Sequence, residues 1–175
     1  VALYQQAIVL GEEAARTGVL LPVTVQAYLG LARVAGERQQ DALAKQHLAR
    51  ALDLAPQSGN LNIGFIAHVV WAQLALGTGD MEEARAHLLE AGAIRERIQM
   101  GPDEDAVVWG SVYLAEGNLP AAEQIVDALG LHPEDITAGE PDPSMWQRLP
   151  EYGLLARVLL AQGEMQGAIA VAKRL

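Results

Sequence analysis

The sequence predicts an all-α protein built as a stack of antiparallel helical hairpins, and three observations support this class. A small residue precedes an alanine by twelve positions four times along the chain, in the pairs Ala32 with Ala44, Ala72 with Ala84, Gly110 with Ala122 and Ala156 with Ala168. Apolar or small residues follow each alanine by four and seven positions, at Leu48 and Ala51, Leu88 and Ala91, Val126 and Leu129, and Ala172 and Leu175. Apolar residues make up 51% of the chain but aromatic residues only 5%, so alanine and leucine supply most of the burial. Small residues allow close approach of two helix backbones, and the twelve-residue gap suits two antiparallel helices joined by a short turn.

The predicted elements follow in order. Residues 1–17 form one amphipathic helix, which Gly18 ends and which corresponds to the second half of a truncated hairpin. About four complete hairpins follow, pairing 21–37 with 40–55, 61–77 with 81–99, 103–116 with 119–130, and 144–162 with 165–175. Asp80 is the predicted N-cap of the second hairpin's return helix, with Glu83 completing a capping box, and Asn118 is the predicted N-cap in the third.

The domain organisation follows from the spacing of the repeats. Residues 131–143 lengthen the last repeat and hold three prolines and four acidic residues, so they are predicted to form an exposed acidic, proline-rich loop. The remaining pattern is continuous, so residues 1–175 are expected to form a single helical-repeat domain. Both ends fall within a periodic segment, which favours a fragment of a larger protein.

Composition bears on partners and compartment. The formal net charge is −10 and the basic residues are scattered, which argues against direct contact with nucleic acid. The chain has no cysteine, so disulfide and thiolate chemistry are excluded and a cytoplasmic location is expected. The longest apolar stretch, residues 63–72, is short for a membrane span and contains His68, so no membrane contact is expected.

No motif for catalysis, a metal or a cofactor stands out. The four histidines, His47, His68, His87 and His132, lie in different segments without a partner at metal-ligand spacing, so structural or surface roles are expected. The segment from Gly77 to Asp80 has two glycines but lacks the lysine of a phosphate-binding loop. Acid pairs such as Glu82 with Glu83 are expected on solvated helix faces or in first turns. The chain is therefore predicted not to be an enzyme.

The repeat resembles two related groups of helical proteins. The first hairpin resembles the tetratricopeptide pattern, at Tyr28, Leu31, Ala32, Ala35, Ala44, Leu48, Ala51 and Pro56. Gaps longer than the tetratricopeptide period of about 34 residues resemble instead the longer hairpins of MalT-like, ATP-dependent LuxR-type transcriptional activators. The runs at 109–123, 129–135 and 155–168 are similar to the late hairpins of those regulators.

The resemblance implies a tetratricopeptide-like superhelix that serves as the sensor region of such an activator. In that family the sensor binds a small effector or a regulatory protein in its concave groove and couples binding to oligomerisation. The chain carries neither a phosphate-binding loop nor a basic recognition helix, so it corresponds to the sensor region alone. The alternative is a generic tetratricopeptide scaffold that binds a partner protein's peptide.

Four residues are the candidate ligand-binding set. Each lies one position after the small residue of its hairpin's first helix, at Arg33, Gln73, Ser111 and Arg157. In a tetratricopeptide-like stack the first helices line the groove, so these side chains are predicted to form one polar track suited to an anionic ligand or an acidic peptide. The alternative is that the two arginines pair with some of the chain's acidic residues. Trp71 and Trp109, 38 residues apart, are expected to pack between hairpins.

Overall fold

The chain is helical throughout the part that can be described. The structure, a computed structural model, describes residues 1–16, 22–101, 105–134 and 147–173. These residues contain α-helices joined by short turns and no β-strand, so the predicted all-α class is confirmed. They fall into two compact units, Val1–Gly101 and Pro102–Leu175.

The first unit is built from two hairpins and a preceding helix. Its helices are α1 (Ala2–Arg16), α2 (Pro22–Glu37), α3 (Asp41–Leu54), α4 (Leu61–Thr78) and α5 (Met81–Ile98), with a 3-10 turn at Pro56–Ser58. α2 packs along α3, α4 packs along α5, and α1 lies along α2. α4 also contacts α2 and α3, which joins the two hairpins. The core between them consists of Val25, Tyr28, Leu29, Ala32, Leu48, Ala51, Leu54, Ala55, Ile63, Ala67 and Val70.

The second unit repeats this arrangement. Its fully described helices are α6 (Ala106–Ala115), α7 (Leu119–Ala128), α8 (Leu149–Gln162) and α9 (Met165–Ala172). α6 pairs with α7 and α8 with α9, and α8 also contacts α6 and α7. The core consists of Ala122, Val126, Leu131, Tyr152, Leu154, Leu155, Val158, Leu159, Ala168 and Val171.

The turn inside each hairpin has the same backbone geometry. Five positions before the repeat alanine stands a residue with positive φ, namely Gln39 (58°), Gly79 (81°), Gly117 (74°) and Gly163 (83°). The amide of the next residue donates a hydrogen bond of 2.8–2.9 Å to the carbonyl five residues earlier. This bond closes the end of a helix when the chain turns through a left-handed residue. Three hairpins use glycine, which adopts positive φ without steric cost, whereas the first uses Gln39.

The spacing of small residues corresponds to close packing. The repeat alanines Ala44, Ala84, Ala122 and Ala168 are 1%, 0%, 0% and 3% exposed. Their small partners Ala32, Ala72 and Gly110 are buried and Ala156 is half-buried. A Cβ atom on Gly110 would lie 2.6 Å from Leu154 Cδ2, so a larger residue there would displace α8 or its leucine. The predicted packing role of Ala172 is wrong, because this residue ends α9 and is exposed.

Helix caps were predicted well, with one exception. The Asp80 carboxylate accepts a 3.0 Å hydrogen bond from the Glu83 amide, and the Asn118 side chain accepts one of 3.4 Å from the Ala121 amide. Both N-cap predictions are confirmed. The Glu83 side chain does not complete a capping box; it contacts Trp71 and Lys45 instead.

The segment after α7 differs in part from the predicted acidic loop. Gly130 turns the chain with a φ of 62°, and Leu131 returns into the core, 2% exposed. Residues 133 and 134 are helical. Leu131 therefore departs from the predicted exposed loop, because its apolar side chain packs into the core formed by α7 and α8, whereas His132 and Glu134 are exposed. Residues 135–146, which include the first residues of the helix predicted from 144, lie outside the described residues. Residues 147–148 form a 3-10 turn, and the α-helix runs from Leu149.

Candidate functional site

A polar cleft between α2 and α4 is the candidate functional site of the first unit. Its volume is about 780 Å³, within the usual range for small-ligand sites. Polar side chains line it at Arg33, Glu37, Gln39, Asp41, Gln73 and Thr78. Its apolar lining is provided by Ala32, Leu48, Val70 and Leu74, and the backbone of Gly36 and Gly77 completes it. We call it the α2–α4 cleft.

The helix positions explain how these side chains meet. Arg33 and Glu37 lie one turn apart on α2, so they share a face. Gln73 occupies the matching position of α4, and α2 and α4 approach so closely that a Cβ on Gly36 would lie 3.6 Å from Leu74 Cδ1. Gln39 lies in the turn that leads into α3, and Asp41 is the first residue of α3. The cleft is therefore formed by the first helices of two successive hairpins and one hairpin turn.

The charged groups of the cleft are unpaired. Within the described part of the chain, Arg33, Glu37, Gln39, Asp41 and Gln73 form no side-chain hydrogen bond or ion pair. The Thr78 hydroxyl is committed to its own helix, donating to the Ala75 carbonyl at 3.0 Å. Arg33 and Glu37 are exposed and Asp41 is half-buried, so water solvates these charged groups in the free protein. The cleft therefore offers charges of both signs to a polar ligand.

The predicted ligand-binding set is divided between the two units. Arg33 and Gln73 are exposed and line the same cleft. In the second unit the Arg157 guanidinium donates a 3.0 Å hydrogen bond to Ser111 Oγ, linking α8 to α6. Ser111 is only 6% exposed, whereas Arg157 is exposed, so the hydrogen bond joins a buried hydroxyl to a surface guanidinium. The structure thus brings Arg33 near Gln73 in the first unit and Ser111 near Arg157 in the second. A single track through all four residues stays a prediction.

The alternative that Arg33 and Arg157 pair with acidic residues does not hold among the described residues. Arg33 forms no ion pair there, and the hydrogen bond that Arg157 makes goes to a neutral hydroxyl. The expectation of an anionic ligand also changes for the first unit. Glu37 and Asp41 share the cleft with Arg33, so a purely anionic ligand would meet two carboxylates and one guanidinium.

A second polar cluster on α4 and α5 was missed in the sequence. His68 Nδ1 and His87 Nδ1 lie 2.9 Å apart, and the Trp71 indole stacks on His87 with ring centroids 4.4 Å apart. Trp71 Nε1 donates a 3.1 Å hydrogen bond to Glu83, which also pairs with Lys45 of α3. These five residues form the His68–His87 cluster. Trp71 also packs against the core of the first unit, as expected. Glu83 lies in the first turn of α5, as expected for this acid pair, and its side chain is 25% exposed.

The sequence held a weak signal for this cluster. His68 and Trp71 are three residues apart on α4, and Glu83 and His87 are four apart on α5, so each pair shares a helix face. Which faces meet depends on how the two helices are rotated in the hairpin. That rotation is set by the small residues Ala72 and Ala84, both 0% exposed.

Burial lowers the pKa of both histidines. For His68 the positive charge of His87 adds to the effect, while Glu90 opposes it. For His87 burial again dominates; Lys45 lowers the pKa further, and Glu83 and Glu90 raise it. One imidazole Nδ1–H donates to the other Nδ1 when at least one ring is neutral. Protonation of both rings removes the acceptor and places two positive charges together.

The free energy of unfolding is expected to fall as the pH drops below 6.5, the ordinary pKa of histidine. The pKa values are lowered in the folded state, so the unfolded chain binds more protons and stability is lost as pH falls towards the folded-state pKa. Urea unfolding between pH 8 and about 5.5 measures this. The double variant His68→Gln/His87→Gln should reduce the pH dependence of the free energy of unfolding. A smaller pH dependence should remain, because burial also lowers the pKa of His47. An unchanged dependence in the double variant would contradict the assignment.

Two further findings concern metals and membranes. Among the described residues no three His, Asp or Glu side chains converge at metal-binding distance. By length and composition alone, α4 could cross a membrane, with 44% of the window buried in the structure. The continuous helix is longer than the apolar stretch at 63–72 indicated, because polar Gln73 interrupts the stretch but not the helix. Core helices of soluble proteins can have the same length and composition, so the absence of membrane contact stays a prediction.

No protein-family model matches the chain, and no curated protein or solved structure matches it either.

Proposed function

We propose that the chain is a non-enzymatic recognition module that binds an effector in the α2–α4 cleft. The observation that carries this is the presence of Arg33, Gln73, Glu37, Gln39 and Asp41 in one cleft of about 780 Å³, with no side-chain hydrogen bond or ion pair among the described residues. The cleft is polar where α2 and its turn face α4, and apolar where the half-buried Leu74 contributes. Such sites use a few polar groups to orient a ligand over an apolar surface.

Binding is favoured over catalysis by the residues present. No His, Cys or Ser is among the described residues that line the cleft, and its one hydroxyl, Thr78, is bonded to its own helix. A nucleophile needs an adjacent base to activate it. The cleft's two acids and one arginine instead provide charges that hold a ligand in a defined orientation.

The wider role we propose is that of a tetratricopeptide-like sensor region in a MalT-like, LuxR-type transcriptional activator. It is supported by the four helical hairpins with their common turn and by the sequence resemblance of the late hairpins. An effector that binds one state of the protein better than another would shift the population towards an oligomerising form. Such coupling requires no nucleic-acid contact from this region. The proposal places it in the cytoplasm.

The test is a thermal-shift screen of the 175-residue chain against sugars, amino acids, dipeptides and nucleotides. At least one class should raise the melting temperature. Arg33→Ala should then weaken its binding by about tenfold or more, because a charge-assisted contact is lost. Arg38→Ala is the matched control, since Arg38 lies on the same helix end but outside the cleft. Binding that is equal in the wild type and Arg33→Ala contradicts the proposal.

The same screen separates two further ideas. Arg157→Ala, tested alone, reports whether the second unit contributes to the same ligand; an equal loss would support the single polar track. The generic scaffold alternative predicts that no small molecule binds, whereas end-blocked peptides of a partner protein do.

A further inference from the structure

We propose that the α2–α4 cleft binds a zwitterionic dipeptide, or a ligand of the same chemistry with a cationic and an anionic end joined by an amide. The inference rests on the proposed function, and it specifies the ligand of that same site. It is carried by the arrangement of opposite charges, amide side chains and apolar surface in the cleft.

The charges call for a ligand that carries both signs. Arg33 supplies one positive charge, and Glu37 and Asp41 supply two negative charges. An anion alone would be repelled by the two carboxylates, and a cation alone would leave the guanidinium without a partner. A ligand carboxylate at Arg33 and a ligand ammonium at Glu37 and Asp41 satisfy all three groups.

The separation of the charges suits a dipeptide better than a single amino acid. Arg33 and Glu37 are four residues apart on α2, which corresponds to a rise of about 6 Å along the helix. An extended dipeptide spans about 7 Å. In a free α-amino acid the two charged groups share one carbon atom, so they lie closer together than those of a dipeptide.

Two amide side chains also line the cleft. Gln39 and Gln73 each offer a carbonyl acceptor and an NH₂ donor, the complement of a peptide bond. Both are free of side-chain hydrogen bonds to other described residues. Beside them, the half-buried Leu74 gives an apolar surface for a ligand side chain.

Gln39 has a left-handed backbone conformation in the turn of the first hairpin. It has a φ of 58° at the position where the other three hairpins have Gly79, Gly117 and Gly163. A non-glycine residue in the left-handed region carries a steric cost that glycine avoids. The first hairpin therefore bears a backbone cost at a turn whose side chain lines the α2–α4 cleft, and the end of α5 bears such a cost at Gln99 (54°), outside the cleft.

The first experiment is calorimetric titration of the full chain with Ala-Leu and three blocked forms, namely N-acetyl-Ala-Leu, Ala-Leu amide, and the doubly blocked peptide. Ala-Leu should bind, and each single block should weaken binding by about tenfold or more, because a charge-assisted contact is lost. No binding of Ala-Leu, or equal binding of the four forms, would overturn the proposal. The latter result would indicate an internal peptide segment as the ligand.

The second experiment assigns each end of the ligand. In Glu37→Gln/Asp41→Asn the N-acetyl block should no longer matter, and in Arg33→Ala the amide block should no longer matter. Asp53→Asn is the control for charge, since Asp53 is exposed on α3 and outside the cleft. Effects of both blocks that persist in these variants would overturn the assignment.

The third experiment separates binding from folding. Gln39→Gly should leave the melting temperature unchanged or higher, because it removes the left-handed strain, yet weaken Ala-Leu binding several-fold. Unweakened binding would exclude Gln39 from the site. One result would contradict the dipeptide ligand and leave the proposed function standing. In that result no dipeptide binds, but the wider screen finds a neutral ligand whose binding depends on Arg33.

Discussion

Replacing Leu88 with alanine is expected to lower the free energy of unfolding by about 2–5 kcal/mol. Leu88 lies on α5, four residues after the repeat alanine Ala84, and is 0% exposed. Truncation removes buried apolar surface and leaves a cavity that the tightly packed α4–α5 hairpin cannot close completely. Urea unfolding at pH 8, where the histidines are neutral, measures the loss.

Leu89→Ala is the matched control for this prediction. Leu89 is the next residue on the same helix and is 66% exposed, so its truncation should change the free energy of unfolding by about 0.5 kcal/mol or less. The two variants differ only in which face of α5 loses the side chain. Similar losses in both would mean that α5 is rotated relative to the packing described above.

Replacing Ala84 with leucine should cost about 1–3 kcal/mol by overpacking. Ala84 and Ala72 are both 0% exposed and lie where α4 and α5 pack against each other. Three additional carbon atoms would separate the helices or force strained side-chain conformations. Because the His68–His87 contact joins the same two helices, this variant should also weaken that contact and reduce the pH dependence of stability.

Ala86→Leu serves as the control for helix propensity and added apolar area. Ala86 is exposed on α5, two residues from Ala84, so the larger side chain extends into solvent. Its free energy of unfolding should stay within about 0.5 kcal/mol of the wild type. Wild-type stability of Ala84→Leu would show that the twelve-residue spacing does not mark helix contacts.

The candidate cleft was only partly predictable from the sequence. The sequence analysis selected the residue that follows the small packing residue in each hairpin's first helix. This choice placed Arg33 and Gln73 on the faces of α2 and α4 that line the cleft. Glu37 was within reach of the same argument, because it is one turn from Arg33. Gln39 and Asp41 were not, because their positions depend on a turn whose left-handed residue is not a glycine.

The sequence alone determined the secondary structure and its spacing. Periodic alanine and leucine specified the helices, and glycine, Asp80 and Asn118 specified most turns and caps, because these are local preferences of the backbone. Tertiary structure alone decided which helix faces meet. It places His68 next to His87 and Glu37 and Asp41 in the same cleft as Arg33. It also pairs the Glu83 side chain with Trp71, so that Glu83 does not cap its own helix. Contacts between helices depend on rotation about each helix axis and on distances across the hairpin, and small residues distant in sequence set both.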